Sequence, residues 1–70
     1  MPLTMANPHK ELHITAIHSS QDMRMRLCNM GITAGIPVRV ISRSPSSLLV
    51  GVRDTRIMLD FKTAHQIHVQ

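Results

Sequence analysis

Aromatic side chains are almost missing from this chain: it has one Phe, Phe61, and no Trp or Tyr among 70 residues. That excludes a core built on stacked rings. It also excludes the aromatic platforms on which single-stranded nucleic acid and proline-rich peptides dock. There is one cysteine, Cys28, so no internal disulfide can form, whereas small secreted domains are usually rich in them. No apolar run approaches the roughly 18 residues of a membrane helix. The opening residues MPLTMANPHKE lack the apolar stretch of a signal peptide. Acidic groups are few, four against eight Lys and Arg, which gives a net charge of +4. That balance favours acidic surfaces without choosing among protein, lipid and nucleic acid. The expectation is one small, reduced, cytoplasmic domain.

What is present is aliphatic. Hydrophobic residues make up 43% of the chain, and six Met take the place of the missing rings as adaptable packers. Residues 1–10 hold Pro2, Asn7 and Pro8 and read as a flexible N-terminal arm, leaving residues 11–70 as the domain. Leu12, Ile14 and Ala16 alternate with His13 and Thr15, the period of a half-buried strand. Ser19 to Asp22 reads as a weak capping box opening a helix that runs to about Met30, with Met23, Leu27 and Met30 on one stripe. Gly31 stands where a helix needs a left-handed residue to close, and Gly35 permits a second bend.

Further strands follow from alternation at 36–43, 48–52 and 56–60. Asp60 is placed to cap a single helical turn over 61–65, and Ile67 and Val69 alternate in a last short strand. The inward set predicted from these periods is Leu27, Val38, Val40, Val50, Val52, Ile57, Leu59 and Ile67. Phe61 reads as buried, and Cys28 as a half-buried packing residue. Short strands, tight turns and one inserted helix predict a mainly β fold, a small closed or partly open barrel of about five strands.

The order of these elements resembles a known family. The segments RLCNMGITAGIPVRV at 26–40, Ser44-Pro45, and IMLDFKTAHQIHV at 57–69 are similar to the small protein A of bacterial ferrous-iron transport, the FeoA family. The chain departs from the family pattern at Ser46-Ser47-Leu48 and at Asp60. The resemblance implies an SH3-like barrel and a non-enzymatic accessory that binds the cytoplasmic GTPase portion of the transporter, recruited by it to the inner face of the membrane.

Candidate sites are few. No Ser/His/Asp order, phosphate loop or metalloprotease pattern is present, so no catalytic residue is assigned. His9, His13, His18, His65 and His68 could hold a divalent metal weakly, but no second cysteine or carboxylate stands in register to complete a structural site, and no cofactor is required. Direct sensing of divalent metal is the alternative function. Nucleic-acid binding through Arg24, Arg26, Arg39, Arg43, Arg53 and Arg56 ranks below it, for want of aromatics. For partner binding, Met25, Met30, Ile32 and Ile41 are apolar positions that the periods leave partly outside the core, with Arg26 and Arg39 as a basic rim. The same patch could instead pair two copies of the domain.

Overall fold

The computed structural model describes all residues, 1–70. Five strands form one antiparallel sheet: β1 (Leu12–Ile17), β2 (Pro37–Arg43), β3 (Ser47–Val52), β4 (Thr55–Asp60) and β5 (Ile67–Val69), in the order β4-β3-β2-β1-β5. Helix α1 (Gln21–Asn29) follows β1, and the single turn α2 (Phe61–His65) joins β4 to β5. β1 changes partner along its length. Leu12 and His13 pair with β2, and Ile14 to Ile17 pair with β5. Slips in register between Ile14 and Ala16, and between Val40 and Ser42, bend the sheet around its contents. β4 and β5 remain unpaired with each other, so the barrel is the partly open kind, with α2 spanning the gap.

Side-chain alternation fills the interior. Fifteen apolar residues form the core, every one aliphatic. Seven of the eight inward positions expected from the sequence are buried, and Ile57, on the edge strand, is half-buried. Both helices start on side-chain caps. The Asp60 carboxylate accepts from the Thr63 N–H at 3.1 Å. For α1 the cap is Ser20, whose hydroxyl accepts from the Met23 N–H at 3.1 Å, one residue later than the box read at Ser19. The end of α1 is a Schellman motif. Gly31, at φ 87°, donates to the Cys28 carbonyl at 2.9 Å, and Ile32 donates to the Leu27 carbonyl at 2.8 Å.

Four expectations need correction. Residues 1–10 are not a free arm. Leu3 and Ala6 are each 1% exposed within the core, and Leu3–Met5 forms a short 3-10 turn, η1. Met1 and Pro2 run along β5, with the Val69 N–H donating to the Met1 carbonyl at 2.8 Å. Pro8 bridges Val40, and the Arg43 guanidinium donates to the carbonyls of Thr4 and Ala6. The two prolines suggested a loop, yet here their neighbours make the backbone bonds and the prolines need donate none.

Ile32 is buried at 1% exposure, because the Schellman turn folds the residue after Gly31 back against Leu27. Cys28 is exposed, one step round the helix from Leu27, the only fully buried residue of α1. Phe61 is 46% exposed, because Ala64 and not Phe61 is the α2 residue that faces the sheet. Its ring stacks near His65, with centroids 6.4 Å apart.

Two stability predictions follow from this packing. Leu3→Ala will cost about 2–5 kcal/mol, as much as Leu59→Ala, since both empty a closed core. Urea unfolding checks this, and a Leu3→Ala midpoint equal to wild type would return residues 1–10 to the status of an arm. Gly31→Val will cost more than about 1 kcal/mol, because a β-branched residue is strained at positive φ even where space is open. The nearest side-chain atom to a Cβ there is Val52 Cγ1 at 3.9 Å, so a loss below that figure would mean the turn tolerates the side chain.

Candidate partner-binding surface

α1 buries only Leu27 fully, so most of its apolar side chains face outward. Met25 is 58% exposed and Met30 44%. Between α1, the end of β1 and the loop after Ile32 lies a cleft of about 360 Å³, lined by Ile17, Gln21, Arg24, Met25, Cys28, Thr33 and Ala34. Its walls mix apolar side chains, Ile17, Met25, Cys28 and Ala34, with polar ones. Gln21, Arg24 and Thr33 supply the polar groups, and Arg24 is steadied by donation to the Ser19 carbonyl at 2.6 Å. An exposed, adaptable methionine in a cleft of mixed polarity beside an arginine is chemistry suited to a protein partner.

The six residues proposed from sequence do not form one patch. Met25 lines the α1 cleft, and Arg26 and Met30 are exposed on the same helix. Ile32 lies in the core and can contact no partner. Arg39 belongs to a separate, polar cleft of about 250 Å³ with Glu11, Pro37, Val38, Gly51, Arg53 and Asp54, where its guanidinium lies flat over Gly51. Ile41 is half-buried at the β2 register slip. Sequence reading missed Ile17, Thr33, Ala34 and Cys28. Ile17 is the last residue of β1, beyond the alternating set read there, and Thr33 and Ala34 are brought to α1 only by the turn at Gly31 and Gly35, whose φ is 89°. A third cleft, between the starts of the two helices, is polar, with Met23 its one apolar wall.

The histidines scatter, with one pairing. His18 and His68 meet edge to face, ring centroids 4.4 Å apart. His65 Nδ1 lies 3.1 Å from the Thr4 hydroxyl. His9 and His13 are exposed elsewhere, and no three His, Cys, Asp or Glu side chains are grouped to share an ion. The His18–His68 pair is therefore two protein ligands short of a tetrahedral structural zinc site.

Burial holds His68 below its ordinary pKa of about 6.5, and the nearby His18, Met1 amino group and His65 add to the effect. Asp60 is held below its ordinary value by its hydrogen bonds from Thr63. The folded state thus favours neutral His68, while the unfolded chain takes up the proton at a higher pH. Folding stability should fall as pH drops through 6.5 toward the depressed pKa. Asp60 titrates below 3.8 and leaves that window flat. Urea midpoints measured between about pH 7 and pH 5 should decline, and His68→Gln should flatten the slope. An unchanged slope in His68→Gln would remove His68 as the cause.

The geometry can be set beside known proteins. A zinc complex of FeoA from Stenotrophomonas maltophilia, described as a prokaryotic SH3 domain protein, superposes with a TM-score of 0.84 at 26% identity, covering 100% of this chain and 89% of that one. FeoA from Chlorobium tepidum gives a TM-score of 0.91 at 19% identity, over 100% of this chain and 69% of that one. A manganese-dependent transcriptional repressor shares the fold, with a TM-score of 0.83 at 17% identity, over 96% of this chain and 39% of that one. Comparison with curated protein sequences finds no match. The fold is SH3-like, five antiparallel strands with a helix inserted after the first. The FeoA domain model matches residues 1–70, the N-terminal segment included, and the chain belongs to the FeoA family.

Proposed function

We propose that this chain is a non-enzymatic accessory of ferrous-iron transport that binds the cytoplasmic GTPase portion of the transporter through the α1 cleft. Family membership supports the transport role, and the Stenotrophomonas maltophilia relative has itself been suggested as a ferrous-iron transport activating factor. The observation that carries the choice of surface is Met25, 58% exposed where it lines the α1 cleft beside Arg24. No helix is long and apolar enough to cross a membrane, which suits a protein that reaches the transporter through a protein contact. No constellation of nucleophile, base and oxyanion donors converges in any of the three clefts, which favours binding over catalysis.

Direct sensing of a divalent cation is the second reading, and the His18–His68 pair is the one feature that favours it. Calorimetric titration with ferrous iron separates the two, because His68→Gln would abolish such heat and leave partner binding intact.

The test is affinity for the purified GTPase portion. Met25→Asp should weaken binding at least about tenfold, the scale of a well-packed apolar anchor lost to a charge. Met30→Asp, further along the helix, should weaken it less. Circular dichroism should be unchanged in both, since both side chains are exposed. Wild-type affinity in Met25→Asp would exclude the α1 cleft, and an unmodified chain that fails to bind would sink the functional reading itself.

A further inference from the structure

β4 is an edge strand, and the groups it turns outward are self-complementary. Phe61 N–H donates to the Ser46 carbonyl at 2.9 Å, which fixes the phase of the β3–β4 ladder. Bonded and non-bonded pairs alternate in an antiparallel ladder. With Val50 opposite Ile57 and Leu48 opposite Leu59, those pairs carry the bonds to β3. Arg56 and Met58 therefore turn both N–H and C=O away from the sheet, and Asp60 turns its N–H away while its carbonyl opens α2. No strand lies beyond them. Their side chains are exposed too, Met58 to 63%. The spacing is symmetric: a cation two residues before Met58 and an anion two residues after it.

We propose that two copies of this chain associate through antiparallel β4–β4 pairing about a two-fold axis at Met58. In that register the two Met58 residues exchange backbone bonds across the axis. Each Arg56 carbonyl accepts from the Asp60 N–H of the second copy, and each Arg56 guanidinium stands opposite an Asp60 carboxylate. On the inner face, half-buried Ile57 gains Leu59 of the second copy as a neighbour. Registers centred on Arg56 or on Asp60 set like charges against each other, and those centred on Ile57 or Leu59 set Met58 opposite a charge, so only the Met58 register opposes Arg56 to Asp60. An isologous contact of this kind closes at two copies. Charge on an exposed edge commonly blocks such pairing. Here the opposite charges fall at reflected positions, so the same residues select a partner. The surface is separate from the α1 cleft, so the dimer does not depend on the function proposed above.

Sedimentation of the full chain tests this. Wild type should populate a dimer by about 1 mM, a concentration that detects even weak association. Met58→Pro removes a central outward N–H without touching the β3 ladder and should leave a folded monomer. Arg56→Asp should also be monomeric. Asp60→Arg alone should fail to pair, yet should form a one-to-one dimer when mixed with Arg56→Asp, because all opposed charges then match. Circular dichroism checks folding, and should Asp60→Arg lose its helix cap and unfold, the other two variants decide. A strictly monomeric wild type, or a dimer that survives Met58→Pro, overturns the proposal. Folded Arg56→Asp and Asp60→Arg that do not pair on mixing overturn the register.

Discussion

Core volume is the constraint on which this structure depends. A chain of this length buries only about 60% of its unfolded surface and stands near the lower limit for folding alone. With no Trp or Tyr, the interior must be closed by aliphatic groups of modest size. Strand alternation supplies most of them. The rest come from places where regular periods do not reach: Leu3 and Ala6 before the first strand, Ile32 after the helix, Ala64 in the single turn between β4 and β5. Each is held by backbone geometry. Leu3 and Ala6 are fixed by the Met1–Val69 and Pro8–Val40 contacts and by Arg43, Ile32 by the Schellman turn, and Ala64 by the Asp60 cap.

The same economy shapes the surface. Because the sheet and the N-terminal segment close most of the core, α1 needs to contribute only Leu27 in full, and Met23 in part. The helix is then free to present Met25 and Met30 outward and to form one wall of a cleft against Ile17 and Ala34. Its position is rigidly set at both ends, by Ser20 at the start and Gly31 at the finish. A surface element anchored at its ends and unfilled along its side suits recognition, since little order remains to be imposed on binding.

Much of the fold was legible in the sequence. The five strands, both helices, the Asp60 cap and the Gly31 turn fall where alternation, capping residues and glycine place them. The family resemblance agreed with the barrel those elements suggest. What was illegible depends on contacts between distant residues. Nothing local in MPLTMANP indicates that Met1 and Pro2 will lie along β5, at the far end of the chain. Period arguments also treat a residue after a glycine as loop, which left Ile32 outside, although an apolar residue directly after a helix-closing glycine is itself a signal for the Schellman contact. The α1 cleft was half visible. Met25 stood out as an apolar residue on an outer face, while Thr33 and Ala34 reach it only through two positive-φ glycines. Arg39 and Ile41 were drawn into the patch because they share a strand near the corner, yet Arg39 lies over its cross-strand partner Gly51 and Ile41 is half-buried at the register slip.

The most direct measurement of the central claim is a residue-by-residue map of where the partner touches. Amide and methyl resonances of the labelled chain, followed as the transporter's purified GTPase portion is added, would provide it. The account predicts the largest shifts at Ile17, Gln21, Met25, Cys28, Thr33 and Ala34, with Arg39 and Gly51 in the separate polar cleft little changed. Shifts centred on Arg39 and Gly51, with the α1 cleft silent, would contradict it.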